Sequence, residues 1–185
     1  MNVYDFDGTI FEGDSTVKFM CYLYKKRLSL KYLFKSAAYG LGYLLKIVNL
    51  EKMKEAFFSY WSEFDNIEEL VEDYWDQNEK GIKDFYKKQM KDDDLIISAS
   101  PDLIIGPICK RLNVAYMASP NDHKTGKFHG HNCVGEEKVR RFHEAYPDGI
   151  IEEFYSDSFN DTPLAKIAKK AYMVKGLKIE EWKFK

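Results

Sequence analysis

A parallel α/β sheet carrying a helical insertion is the fold class predicted by this sequence of 185 residues. Three observations predict it. All five prolines lie beyond residue 100, so residues 15 to 90 lack the residue that breaks helix interiors. Within that proline-free stretch, apolar residues recur at i, i+3, i+4 and i+7, the spacing of amphipathic helices. After residue 90 the pattern changes to short apolar runs alternating with helical segments, as a parallel sheet requires.

Taken in order, Met1 to Tyr4 read as a short strand running into Tyr4-Asp5-Phe6-Asp7-Gly8-Thr9-Ile10. Strand side chains at i and i+2 project to one side, so Asp5 and Asp7 converge at its end. Gly8 supplies the backbone freedom for a turn. Leu30, Leu33, Phe34, Ala37, Leu41, Leu44, Leu45 and Val48 keep helical spacing through four turns. So do Met53, Ala56, Phe57, Tyr60 and Trp61, and then Ile67, Leu70, Val71, Tyr74 and Trp75. Asn66 with Glu69 resembles a capping box opening that last helix. The spacing predicts a module of about four helices. Beyond it, Leu95 to Ser98 form a strand ending in a hydroxyl, and Ser100-Pro101-Asp102 read as N-cap and first turn of a helix. Val114 to Met117 form a further strand. Lys124 to Lys127 read as a turn between two short strands. A helix runs from Gly135-Glu136-Glu137-Lys138 to about Ala145. Ile150 to Tyr155 read as a strand, followed by Asp157 and Asp161 and a helix from Pro163 to about Lys170. Ala171 to Val174 is the last strand expected.

Length and composition suit one well-buried core. A hydrophobic content of 45% and a charged content of 31% are those of a soluble globular protein. A net charge of −2 gives no electrostatic reason to expect nucleic acid as a partner. No positive region followed by an apolar run opens the chain, so no secretory signal is expected. Cys21, Cys109 and Cys133 are odd in number and widely spaced, which suits a reducing cytoplasm rather than a disulfide framework or zinc site. His129 and His131 read as a solvated loop.

Charge is unevenly spread. Ser15 to Leu50 carry seven basic residues and no acidic one, whereas Glu51 to Asp94 carry fourteen acidic residues against seven lysines. The expectation is that the two halves pack together with attracting rims. A second account has the basic, tyrosine-rich half touching something anionic, either a phosphorylated substrate or a membrane surface. The longest uncharged run, Ser36 to Leu45, is ten residues. A bilayer span needs roughly 20, so no transmembrane helix is expected.

In parallel sheets ligands bind at the carboxyl ends of the strands, where Asp5, Ser98 and Asp157 fall. Asp5 and Asp7, Ser98, Lys138, and Asp157 with Asp161 together meet the needs of phosphate-monoester hydrolysis. That reaction needs up to roughly 10²¹-fold acceleration, achieved mostly by positioning and charge stabilisation. A carboxylate nucleophile divides it into formation and hydrolysis of an aspartyl phosphate. Such a nucleophile must have its own charge offset. Mg²⁺ on carboxylates such as Asp5 and Asp157, with a lysine opposite, supplies that offset. A serine hydroxyl and main-chain N–H groups hold the remaining phosphoryl oxygens. Asp7 can protonate the leaving alkoxide and later activate water.

DFDGT, the Ser98 strand end, the GEEK helix start and SDSFND resemble the four motifs of the haloacid dehalogenase-like hydrolases, most closely their phosphoserine phosphatase-like branch. The resemblance implies a Rossmann-like parallel sheet with helices on both faces (residues 1–13 and 90–185) and an inserted helical cap (14–89). It implies Asp5 as nucleophile and Asp7 as general acid/base. Mg²⁺ is then held by the Asp5 carboxylate, the Asp7 main-chain carbonyl and Asp157, with Asp161 supporting the metal shell. Ser98 and Lys138 bind phosphate. Two positions depart from that pattern. Ser156 stands where the family has glycine before the fourth-motif aspartate. Asp14 occupies roughly the place of a substrate-binding glutamate, and the only cap arginine is Arg27. Lysine does not grip a carboxylate as arginine does, so the sequence leaves phosphoserine and a different small phosphorylated metabolite both open as the substrate.

Asp14, Phe19, Tyr22, Tyr60 and Trp61 are candidates for the pocket wall, with the core as the competing place for each. Two alternatives remain open from sequence: a phospho-acceptor signalling module, and a membrane-surface protein acting on a lipid-derived phosphate.

Overall fold

The computed structural model describes residues 1–184. Six strands, β1 (Val3–Tyr4), β2 (Leu95–Pro101), β3 (Ala115–Ser119), β4 (Glu153–Ser156), β5 (Lys170–Lys175) and β6 (Lys178–Glu181), form one sheet in the order β3-β2-β1-β4-β5-β6. The first five run parallel. β6 pairs antiparallel with β5, so a last strand beyond Val174 was missed. Its sequence, Lys-Ile-Glu-Glu, is exposed throughout and gives no apolar signal; the turn at Gly176 delivers it to the edge.

The two-residue β1 lies between β2 and β4, where the strand order reverses. Alternation along the strands sends side chains to opposite faces. Tyr4 and Ile96 join one apolar cluster, with Phe6, Phe11, Trp75, Tyr86 and Ile104. Val3, Leu95 and Ile97 join the other, with Phe142, Phe154 and Leu164. Tyr4, Tyr155 and Tyr172 stack in sequence across β1, β4 and β5, each pair 4.9 Å apart.

Between β1 and β2 the chain forms α1 (Ser15–Lys26), α2 (Leu30–Leu44), α3 (Leu50–Phe58), α4 (Ile67–Asn78) and α5 (Asp84–Gln89), five helices where about four were expected. Asp14 caps α1, its carboxylate accepting from Val17 N at 2.8 Å. At α4 the expected capping box does not form; the Asn66 amide instead donates to Glu69 Oε2 at 3.2 Å. Trp75 Nε1 donates to Ile104 O at 2.8 Å, fastening α4 to α6 (Asp102–Arg111). The helix α6 begins one step later than expected, with Pro101 at the capping position and Ser100 still in β2. α7 (Glu136–Ala145) and α8 (Thr162–Ile167) cover the opposite face. Around Lys124–Lys127 the expected turn is present, but its flanking strands reduce to a single Asn121–Phe128 bridge.

The stripe of apolar residues on α2 is not where periodicity would put it. Tyr32 is the buried residue of that helix, its ring beside Tyr60 and its hydroxyl 3.1 Å from Ser62 Oγ. The face carrying Leu30, Phe34, Leu41 and Leu44 is exposed. Of the seven basic residues between Ser15 and Leu50, Lys26 and Arg27 are those that reach a carboxylate among the described residues, Asp73 at 3.8 Å and Glu63 at 3.3 Å. Rim attraction therefore accounts for two of them.

One turn along α7, Arg140 and Arg141 donate back to the Glu137 carboxylate, both at 2.7 Å. The guanidinium of Arg140, helped by Arg141, holds that carboxyl at about 2, against an ordinary 4.5. A depressed folded-state value contributes stability that is fully present above pH 4.5 and is lost as the pH falls towards 2. Glu137→Gln should melt below wild type at neutral pH, and the two melting curves should converge in strong acid.

Candidate active site

Asp5 follows β1 directly, its N–H donating to Tyr155 O at 2.9 Å and so extending the sheet pairing by one residue. This places its carboxylate at the carboxyl edge, in the crevice where the strand order reverses. Asp5, Asp7, Ser98, Lys138, Asp157 and Asp161 all line one cavity of about 840 Å³. Every site residue expected from sequence is thus brought to one place.

Lys138 is buried, and its Nζ donates to Asp5 Oδ1 at 2.7 Å and to Asp161 Oδ2 at 2.9 Å. Burial alone would lower this ammonium; Asp5 and Asp161 outweigh it and hold it above the ordinary lysine range. Burial raises the Asp5 carboxyl to about 7, with Lys138 as the chief opposing influence. Burial and then Asp14 raise Asp7 to about 6. Asp157 is raised by burial and by Asp161. A site that crowds buried carboxyls in this way has an electrostatic deficit that a cation relieves.

Several members of the site escape a reading of the sequence. Ser100, a helix cap by local sequence, instead donates its Oγ hydrogen to Asp7 Oδ2 at 2.5 Å and lies 2.9 Å from Thr16 Oγ1. Ser15 N donates to Asp7 Oδ1 at 2.5 Å. Asp7 is therefore held by donors on both oxygens. Thr9 joins the first and fourth motifs: its hydroxyl donates to Asp5 Oδ2 at 3.3 Å and accepts from Asp157 N at 2.9 Å. Ser98 Oγ accepts from Ser100 N at 3.0 Å. Lys54 of α3 enters the wall, its Nζ donating to Ala99 O at 2.9 Å and Asn132 Oδ1 at 3.0 Å; burial lowers its pKa. The only signal for Lys54 is its place, with Lys52, on a short amphipathic helix.

Ser156 fits its position by using its hydroxyl, which donates to Asp161 Oδ2 at 2.8 Å and accepts from Ser158 N at 3.1 Å. Asp14 lines the cavity. Phe19, Tyr60 and Trp61 belong to the core, with Tyr22 packed against it. Arg27 is engaged with Glu63 through both its carboxylate and its main-chain oxygen, the latter at 3.0 Å.

Oxygen donors at Asp5, Asp157 and the Asp7 main chain are the chemistry a hard dication takes. The backbone supports that set: Gly8 has φ +69°, and a Cβ there would lie 2.0 Å from Asp157 Oδ2. Asp157 thus presses into the turn beside Asp7, in space only glycine leaves open. Among the described residues no group of three or more His, Cys, Asp or Glu side chains is arranged to hold an ion. Two carboxylates with a carbonyl, water and substrate phosphate require no such group. Gly8→Ala should drive Asp157 out of this turn and lower activity about 100-fold, the scale of a 1 Å misplacement, as read by steady-state assay beside an unchanged circular dichroism spectrum.

Known proteins resemble this chain in sequence and fold. Protein CicA of Caulobacter vibrioides is 33% identical over 88 residues, a match covering 43% of this chain and 40% of that relative, well under two thirds of its length. A protein of unknown function from Bordetella pertussis Tohama I superposes with TM-score 0.78 at 17% identity, covering 92% of this chain and 87% of its own. A phosphoserine phosphohydrolase-like protein from Francisella tularensis superposes with TM-score 0.60 at 16% identity, over 92% of this chain and 86% of that one. Those likenesses concern the fold. The family model for haloacid dehalogenase-like hydrolases matches residues 3–166, nearly the whole chain, and the chain belongs to that family.

Proposed function

We propose that this hydrolase is a phosphoric monoester hydrolase working through a phospho-aspartate on Asp5. One observation carries the reading: a buried ammonium, Lys138, bridges Asp5 and Asp161 while Asp7 is fixed beside them by Ser15 and Ser100. In the first step an Asp5 carboxylate oxygen attacks phosphorus and the bond to the ester oxygen breaks. Asp7 gives its proton to the departing alkoxide. In the second step Asp7 takes a proton from water, whose oxygen attacks phosphorus and releases phosphate from Asp5. A carboxyl raised to about 6 suits a group that must give and regain a proton near neutrality.

Lys138 and the Ser98 hydroxyl hold phosphoryl oxygens and stabilise their charge. Mg²⁺ held by the Asp5 and Asp157 carboxylates and the Asp7 carbonyl would neutralise charge between nucleophile and phosphate. Residues 14–89 act as the cap, with α2 and α3 contributing Leu33, Ala37, Met53, Phe57 and Phe58 to the cavity wall. With Arg27 turned to Glu63, that wall brings no arginine to the carboxylate of phosphoserine. Asp14 and Lys54 are its charged cap groups, with Lys54 already engaged by Ala99 O and Asn132 Oδ1, and another phosphate monoester is the better fit.

The test is release of phosphate from p-nitrophenyl phosphate by the purified protein. Hydrolysis should depend on added Mg²⁺ and stop on chelation. Absence of hydrolysis across a panel of phosphate monoesters with Mg²⁺ present would overturn the proposal.

A further inference from the structure

We propose that α2 lies in the surface of an anionic lipid bilayer, and that the monoester taken by the site is carried on a lipid of that bilayer. The docking half stands on the surface of the molecule alone; the substrate half rests on the phosphatase reading above.

At 100° per residue, Leu30, Leu33, Phe34, Ala37, Leu41 and Leu44 fall within one arc of α2. Four of these six are turned to solvent: Phe34 is 71% exposed, Leu44 76%, Leu41 57% and Leu30 58%. Leu28 before the helix and Leu45 and Ile47 after it are also exposed. Contiguous apolar surface on this scale marks an interaction site. The opposite side of the helix, led by Tyr32, is what packs on the protein.

Charge selects the occupant. Between Ser15 and Leu50 there is no acidic residue. Lys31 stands beside the apolar arc, its Nζ 4.8 Å from the Tyr32 ring, and Lys46 follows the helix; neither reaches a carboxylate within 4 Å among the described residues, while Lys35 is turned inward and donates to Ser59 Oγ at 2.9 Å. A two-fold contact between copies of this chain through the same patch would bring lysines against lysines. An anionic leaflet meets the apolar arc with hydrocarbon and the lysines with headgroup charge, the arrangement of an interfacial helix. The helix lies on the surface rather than crossing it: no helix among the described residues is long and apolar enough to span a membrane.

The same helix reaches the site. Leu33, Ser36 and Ala37 of α2 line the cavity that holds Asp5, and Val17, Met53, Phe57 and Phe58 continue its apolar wall. Leu33 is itself half-exposed on the outer patch. Wall and patch are therefore continuous, giving a hydrocarbon tail a path from the bilayer while its phosphate meets Lys138 and Ser98.

Sedimentation with vesicles of equimolar phosphatidylcholine and phosphatidylglycerol, at physiological salt, tests the docking. Wild type should pellet with these vesicles and not with phosphatidylcholine alone. The double variant Phe34→Glu/Leu41→Glu, outside the cavity wall, should lose this binding while hydrolysing p-nitrophenyl phosphate as wild type does. Lys31→Ala should weaken binding about fivefold, the effect of one basic residue near such a surface. Failure of wild type to pellet, equal pelleting of the double variant, or a stable dimer that the double variant dissolves would each overturn the docking. For the substrate half, phosphatidic acid in those vesicles should be hydrolysed faster by wild type than by the double variant. Equal rates, with p-nitrophenyl phosphate turned over normally, would overturn it. Loss of activity on every monoester with vesicle binding intact would instead fault the phosphatase reading and leave the docking standing.

Discussion

Asp5→Asn is expected to reduce turnover by roughly 10⁴- to 10⁶-fold, the scale seen when a nucleophile is removed. The amide keeps the shape of the carboxylate and can still accept from Lys138, which retains Asp161 as its second partner at 2.9 Å. What is lost is the anionic oxygen that attacks phosphorus. Because burial already raises the Asp5 carboxyl to about 7, neutralising it removes a desolvated charge, and the melting temperature should hold or rise. Beryllofluoride with Mg²⁺, which mimics the phosphorylated carboxylate, should stabilise wild type against heat and leave Asp5→Asn unaffected. A variant retaining full activity would exclude Asp5 as nucleophile. Lasting phosphorylation of wild type without release of phosphate would favour a phospho-acceptor module over a phosphatase.

Lys138→Met is expected to damage the fold as well as the chemistry. It removes the one ammonium seated between Asp5 and Asp161, leaving two buried carboxyls facing each other. Breaking a buried pair by removing one partner costs about 3–5 kcal/mol. For a domain of this size that lowers the melting temperature by about 10 °C. Activity should fall with it, since a phosphoryl oxygen loses its partner. Adding Asp161→Asn should recover part of the stability without restoring activity, because the two residues share one network. Equal melting curves for wild type and Lys138→Met would show that the ammonium carries no structural role.

The parts of the molecule legible from sequence are those written locally. Strands β1, β2, β4 and β5 announce themselves as short apolar runs, and the residues at their ends converge because parallel strands share a carboxyl edge. Ser100 was misread for a physical reason. Ser-Pro-Asp satisfies the local grammar of a helix start, whereas the competing partner, Asp7, is 93 residues away. Thr9 and Lys54 were overlooked in the same way, since their partners Asp157 and Asn132 are brought near only by the fold. β6 lacked a signal because an exposed edge strand needs no apolar face. On α2, periodicity identified the residues that share a face. It could not tell whether the chain covers that face, because solvent, protein and lipid leave the same spacing.

The short strand that ends in Asp5 has a consequence for the protein's synthesis. Val3 pairs with Leu95 on one side and with Phe154 on the other, so both neighbours emerge from the ribosome long after it does. Until then the growing chain holds an unpaired apolar ribbon, and contacts of such long range form slowly. The catalytic centre therefore cannot form until β4 and the fourth motif have emerged. A chain stopped before residue 154 would carry its nucleophile with neither the fourth motif nor half of the sheet that orients it.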